Sequence, residues 1–423
     1  MTRPALSRRL NTFDAVAIGL GSMIGAGVFA AFTPAAQAAG AGLLVGLVIA
    51  AVIAFCNATA SAQLAAAYPT SGGTYTYGRE RLGAWQGFIA GWGFVVGKTA
   101  SSAAMALTFA SYASPPGWER PVAVAAVVAL AAVNYHGVTR TAALTKIIVA
   151  AVLAALAVVV AAAWTGQEAN AGQVLAGGLL SEGWYGIFQS AGLLFFAFAG
   201  YARIATMGEE VLEPRRTIPR AILLALAITA GIYAVVAVSI LAALGPAGVA
   251  ATPIPLAEAV SNGTWPGVEP VVRVAAALAS LGALLALIAG LGRTSLAMAR
   301  EGDLPKWLSA VHPRYKVPHR AEVVLAAAVC IIILAADLRE AIGFSSFGVL
   351  VYYLIANLAA FTQEGSDRIY PKALQLLGAA GCIVLVATLP FVSVIAGLIM
   401  FAAGIVYRRF RRRSGRRVGQ RPD

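Results

Sequence analysis

Twelve apolar runs, each long enough to cross a bilayer, dictate what this chain can fold into. They fall near residues 12–36, 41–67, 84–113, 120–137, 141–165, 183–207, 217–244, 269–299, 320–338, 341–362, 372–389 and 391–407. Backbone polar groups in hydrocarbon must be satisfied within the segment itself, so such runs predict an all-α polytopic membrane protein. Composition agrees, with 60% of the 423 residues hydrophobic and only 12% charged. The first run is interrupted by glycine and followed at once by others, unlike a cleaved signal peptide.

The few charges are unevenly placed. Arg79, Arg81, Lys146, Arg215, Arg216 and Arg300 fall in even-numbered connections, and the tail from Arg408 adds eight arginines on the same side. The other side holds only Arg120, Arg273 and Arg339. Lys and Arg in short connections mark the cytoplasmic face, so both termini are expected there, in a cell membrane. The net charge of +13 therefore reads as a topology and stop-transfer signal, with the tail touching anionic lipid. A nucleic-acid partner is not expected.

No catalytic or metal chemistry is legible. Cys56, Cys330 and Cys382 lie in different apolar runs and read as small buried hydrophobes. His136, His312 and His319 fall in connections without metal-ligand spacing. Paired catalytic carboxylates, HExxH, a nucleophile elbow and a P-loop are absent from the sequence. No cofactor or metal is expected. A membrane-embedded enzyme would need convergent polar groups, and a channel polar or charged rings.

One stretch is out of place. "GLGSMIGAGVF" (Gly19 to Phe29) puts four glycines and a serine in nine residues of the first run. Each glycine in a helix interior costs about 1 kcal/mol relative to alanine. The sixth run, "SAGLLFFAFAGYARIATMGEE", carries Gly192 and Gly200 around an aromatic patch. Runs one and six open successive groups of five, and paired interruptions at matching places point to an inverted-repeat transporter with its site at the breaks. N–H groups opening the half-helix after Gly25–Gly27 suit a carboxylate, and carbonyls ending the preceding segment suit an ammonium. An α-amino acid would satisfy both. The competing reading is close helix packing, since Gly21 and Gly25 have small-xxx-small spacing.

"GSMIGAGVF" resembles the first-helix motif of the amino acid–polyamine–organocation superfamily. So do "YPTSGGTYTYGRERLG", "FFAFAGY…GEEVLEPRRTIPRAI" and "GALLALIAGLGRTSLAMAREGDLP", in the same order. The resemblance implies a LeuT-type fold of five plus five helices (12–165 and 183–362), with helices one and six broken. Two further helices (372–407) follow, between an N-terminal segment (1–11) and a basic tail (408–423). It implies alternating access, with helices one, two, six and seven moving against the rest. The implied activity is proton-coupled uptake of amino acids, with amino acid or amine exchange as the alternative. The family's carboxylate-binding amides match Gly25, Ala26 and Gly27, and its ammonium-binding carbonyls match Met23, Phe196, Ala197 and Ala199. Phe196 also matches the aromatic that closes over the substrate. Ala26 replaces a Ser or Thr common in relatives, which removes a hydroxyl contact.

Lys98, in "GWGFVVGKTASSAAM", lies about fourteen residues from either end of the third run. That is roughly 20 Å along a helix axis, too far for the side chain to reach the membrane surface. With no Asp or Glu at mid-span, it reads as a group for proton coupling or for selectivity by charge. The bland alternative is a lysine bonded to backbone carbonyls. Many proton-coupled relatives carry a lysine within helix five, where this chain has Val152; Lys146 comes too early. Arg203, six residues before Glu209, is a candidate for an inner gate with Glu209 or Glu210.

Overall fold

The computed structural model describes residues 9–25, 27–69, 72–137, 142–165 and 170–418, leaving out the side chains of Ser366 and of 412–418. Among these residues it is helical throughout, with one isolated bridge between Leu10 and Val211. Helix α1 (Thr12–Met23) starts on a capping box: Asn11 accepts from the Asp14 N–H, and the Asp14 carboxylate accepts from the Asn11 N–H. Then follow α2 (Gly27–Ala30), α3 (Phe32–Ala39), α4 (Leu43–Ala67), α5 (Gly73–Leu82) and α6 (Ala84–Ala113). After α7 (Glu119–Tyr135) and α8 (Ala142–Thr165) come α9 (Gly183–Phe198), α10 (Ala202–Ala205), α11 (Pro214–Ala251) and α12 (Pro255–Ser261). The chain ends with α13 (Glu269–Arg300), α14 (His319–Ala335), α15 (Leu338–Phe361), α16 (Lys372–Thr388) and α17 (Phe391–Val418).

Eight stretches among the described residues are long and apolar enough to cross a membrane. Helices α7, α14 and α16 have 17 residues each, about 26 Å of helix and the lower limit for a span. At 30 residues α6 is long enough, but Lys98, Thr99, Ser101 and Ser102 dilute its hydropathy. It runs through the interior, packed along α15 and α13. Around it α4 lies against α9, α11 and α15; α1 packs on α11; α8 on α11 and α13; and α7 on α13 and α14, with α14 also reaching α6. The outward faces of α11, α13, α14 and α17 stay apolar and exposed, through residues such as Leu224, Val274, Ile331 and Ile399. Such faces suit lipid rather than water.

Three features differ from the sequence reading, the first being that the last helix, α17, continues past 407 to Val418. The sixth run is not interrupted at Gly192: α9 continues through it, because the missing side chain makes room for Leu389. Its break comes at a 3-10 turn, Ala199–Tyr201. The seventh run extends past 244 to Ala251, bent where Gly245 takes φ 64° ahead of Pro246.

The basic end of the bundle, where α1 begins, is tied by ions. Asp303 accepts from Arg79 (2.9 Å), the Tyr75 hydroxyl (2.9 Å) and Arg408 (3.0 Å), while Arg79 also reaches Glu301. Burial and the neighbouring Asp303 carboxylate push the Tyr75 hydroxyl above the usual phenol range, so it stays a donor. Arg408 lies over the rings of Trp85 and Phe88, 4.7 and 4.5 Å from their centroids. The start of the basic tail is thus a buried clamp as well as a charge signal. The three histidines also gather at this end: His312 and His319 have ring centroids 5.3 Å apart, and His136 and His312 both pack on Tyr315. No group of three His, Cys, Asp or Glu that could hold a metal occurs among the described residues.

Candidate functional site

Helix α1 stops at Met23, where Ile24 N–H still bonds Leu20 C=O (2.8 Å) and Gly25 follows in a turn. Ala26 lies outside the described residues, so its expected amide contact receives no structural account. The helix resumes at Gly27. The two breaks touch each other. A Cβ built on Gly27 would sit 2.7 Å from both Cα and Cβ of Ala197, and 2.9 Å from the Tyr233 hydroxyl. One built on Gly200 would sit 2.4 Å from the Ser22 carbonyl oxygen and 2.5 Å from its carbon. Glycine at both places allows backbone to approach backbone. At these two glycines one break packs on the other.

The carbonyls at the breaks have donors. Tyr233, buried on α11, places its hydroxyl 2.6 Å from Met23 C=O and 3.1 Å from Ala197 C=O. A hydroxyl has one proton to donate, so the shorter contact takes most of it and the other is shared. Lys98 Nζ lies 3.4 Å from Ala199 C=O, and the Tyr353 hydroxyl donates to the same oxygen at 3.4 Å. Phe196 C=O accepts from the Ala199 N–H at the end of α9. The Met23, Phe196 and Ala197 carbonyls each keep a lone pair for a further donor, whereas Ala199 C=O already takes two, from Lys98 and Tyr353, so a third donor there must displace one of them. The Phe196 ring is buried, in the same apolar cluster as Ala30, Ala103, Ala104, Ala283 and Leu284. Lys98 forms no ion pair among the described residues. Cavities of about 580 and 600 Å³ lie elsewhere, on the flanks between α4 and α11 and between α8 and α11.

Tyr233 and Tyr353 escaped the sequence reading. Each is an aromatic in an apolar run, and the carbonyl that marks it lies far off in sequence, Met23 at 210 residues from Tyr233 and Ala199 at 154 from Tyr353. Tyr233→Phe deletes only the hydroxyl and leaves Met23 C=O without that donor. The expected cost is about 1–3 kcal/mol, the usual penalty for orphaning a buried polar group. It should appear as a lower thermal unfolding midpoint with helical content unchanged; an unchanged midpoint would mean the hydroxyl does not tie the breaks.

Toward the basic end, Arg203 pairs with Glu210 at 3.7 Å, and Glu209 sits half-buried beside it. Here Arg9 and Leu10 N–H groups donate to Glu210 C=O, joining the N-terminal segment to the stretch after α10. A second tie, missed in the sequence, is the ion pair of Lys146 at the start of α8 with Asp14 on α1. Val152, in place of a helix-five lysine, is buried among apolar neighbours.

Comparison with known proteins gives the same picture at the level of the whole chain. The profile of a family described as amino acid permease matches residues 10–414. A Mycobacterium tuberculosis protein named as an uncharacterized transporter is 57% identical over 98% of this chain and 94% of its own. A branched-chain amino acid permease of Bacillus subtilis is 25% identical over 95% of this chain and 92% of its own. A chloroplastic cationic amino acid transporter of Arabidopsis thaliana is 27% identical over 84% of this chain and 65% of its own.

Proposed function

The chain belongs to the amino acid permease family, and from that premise we propose that it carries amino acids across the cell membrane by alternating access. Its basic end then faces the cytoplasm with both termini. The observation that carries the proposal is the contact of the two helix breaks, Gly27 on Ala197 and Gly200 on Ser22. Irregular backbone inside a bilayer is tolerated only where it is buried in protein or lines a cavity that a solute enters.

The packing supports a five-plus-five repeat. Number the spans in chain order and exchange each of the first five with its counterpart in the second five. The α4–α9 contact then falls on α11–α1, α6–α15 on α13–α8, α6–α14 on α13–α7, and α4–α15 on α11–α8. Each of these pairs is present, with α16 and α17 added outside the exchange. An inverted repeat gives two equivalent half-structures that trade conformations, which is the geometric basis of alternating access.

In this reading Gly25, Ala26 and Gly27 present amides to the substrate carboxylate. Met23, Phe196, Ala197 and Ala199 present carbonyls to its ammonium. Arg203 with Glu210, beside Glu209, and Lys146 with Asp14 tie the cytoplasmic end and must part for release. Lys98 touches the Ala199 carbonyl that would accept the ammonium. A charge on the bound solute and a proton on Lys98 cannot be independent at that range, and this linkage is what proton coupling requires. The substrates favoured are neutral or acidic. Exchange of one amino acid or amine for another is the second reading, supported by the buried Val152 at the helix-five position.

Counterflow in proteoliposomes tests the class: unlabelled amino acid inside should accelerate entry of the labelled one, which neither a channel nor an enzyme would do. A thermal-stability screen across amino acids and polyamines tests the substrate, because a ligand of the native state raises the unfolding midpoint. With both halves of the site reading backbone-bound charges, methyl esters and N-acetyl derivatives of amino acids should fail to compete. Strong competition by a polyamine, which has no carboxylate, would move the assignment to amine exchange.

A further inference from the structure

A polar seam runs through the apolar packing between α4, α15 and α16. It begins at Tyr353, whose hydroxyl shares the Ala199 carbonyl with Lys98. One turn on, Asn357 Nδ2 donates to Tyr353 C=O (2.9 Å) and to Asn57 Oδ1 (2.6 Å), which also accepts from the Cys382 thiol. Next toward the basic end come Ser61, four residues beyond Asn57 on α4, and Gln375, seven residues before Cys382 on α16. Last come Gln63 and Gln363, bonded at 2.8 Å, with Gln63 Oε1 accepting from the N–H groups of Ile369 and Tyr370 in the loop before α16. All these side chains are at most 2% exposed.

Many of these atoms have no partner in the protein. Asn57 Nδ2, Asn357 Oδ1, Ser61 Oγ, Gln363 Nε2 and both polar atoms of Gln375 are buried and unbonded. Turning the amides over does not help. Asn57 Oδ1 already accepts two bonds and Asn357 Nδ2 already donates two, so a flip of either residue sets like against like. A dry lock between helices would pair its groups. A seam of unpaired donors and acceptors suits ordered water instead.

We propose that a chain of water molecules fills this seam and connects Lys98, through Tyr353, with the cytoplasmic surface at residues 363–370. The inference rests on the transporter reading for its purpose: Lys98 would hand its proton to the cytoplasm alone. The Lys98 ammonium gives one proton to the first water and becomes a neutral amine, each water passes one on as it receives one, and one emerges at Gln63 and Gln363. The seam itself holds no charge; Glu364, Asp367 and Arg368 stand at its mouth. The titratable groups on this side of Lys98 are phenols: Tyr353 shares its carbonyl, and the rings of Tyr201 and Tyr352 pack against Tyr353 with centroids 5.1 Å away. Charged groups on other elements around α6 are engaged elsewhere: Arg79 and Arg408 with Asp303, and Arg293 near Glu322.

X-ray-generated hydroxyl radicals, which form from bound water in place, give the test on the full-length wild-type protein. Oxidation of Cys382 and Tyr353, read by mass spectrometry, is expected to be at least tenfold faster than that of Met298, an equally buried sulfur residue outside the seam. The pair Asn57→Leu with Asn357→Leu should bring Cys382 down to the Met298 rate, and Ser61→Ala gives a milder version should the pair fail to fold. Equal rates at Cys382 and Met298 in the wild type would overturn the proposal. In proteoliposomes loaded with L-leucine, the double variant should keep counterflow and lose at least tenfold of any pH-gradient-driven uptake. Labelling of Cys382 in a wild type that ignores the pH gradient would leave the wet seam standing and remove proton coupling from Lys98.

Discussion

Valine at position 27 is expected to abolish uptake, and alanine at position 200 to do nearly as much. A Cβ on residue 27 falls 2.7 Å from Ala197 backbone, and valine adds two methyl groups beyond it. On residue 200 the Cβ alone strikes the Ser22 carbonyl at 2.4 Å. Neither clash is with the free end of a side chain, so the breaks themselves must separate. Forced overpacking typically costs about 1–3 kcal/mol, which at about 1.4 kcal/mol per factor of ten is roughly a hundredfold at its upper end. The expected result is loss of counterflow together with loss of thermal stabilisation by substrate. Ala26→Ser adds only a hydroxyl and should be tolerated. Gly290→Ala is the control for glycine replacement as such: nothing lies within 4 Å of the new methyl, and a helix interior gains up to about 1 kcal/mol from alanine. Full uptake by the Gly27→Val protein would sink the assignment of the carboxylate to this backbone.

The polytopic helical character was legible because hydropathy over some twenty residues is a local property of the sequence. So was the first break, since Gly19, Gly21, Gly25 and Gly27 fall within nine residues. The second was placed too broadly. Gly192 and Gly200 look alike in sequence, yet the first faces the Leu389 side chain just past α16 and the second a carbonyl from α1. Only tertiary packing separates them. The same limit hid Tyr233, the Lys146–Asp14 pair and the role of Arg408, each defined by a partner more than a hundred residues away. Lys98 stood out because a mid-span charge is rare whatever surrounds it. Asn57 and Asn357 did not, because a lone amide in an apolar run carries no comparable signal until the structure sets them 2.6 Å apart.

Lys98→Ala should change both selectivity and pH dependence. The side chain is buried at mid-helix α6 with its Nζ on the Ala199 carbonyl, so a solute ammonium at that oxygen is its immediate neighbour. A second positive charge on the solute, as in lysine or arginine, would meet it with a repulsion of about 1–4 kcal/mol for charges some 4 Å apart, between the dielectric of water and that of a protein surface. That corresponds to as much as several hundredfold in affinity. Removing Lys98 should therefore admit cationic amino acids that the wild type excludes, measured as competition against uptake of a neutral one. An acidic substrate should move the other way and bind less well. Because occupancy of Lys98 by a proton changes the charge the solute meets, the same substitution should flatten uptake as a function of pH. Lys98→Arg sharpens the test, since a guanidinium keeps its proton throughout this range: it should preserve the exclusion of cations and still lose the pH dependence. If the wild type binds arginine tightly and Lys98→Ala keeps the wild-type pH profile, the lysine only braces the helix-six turn through Ala199, and neither selectivity nor coupling belongs to it.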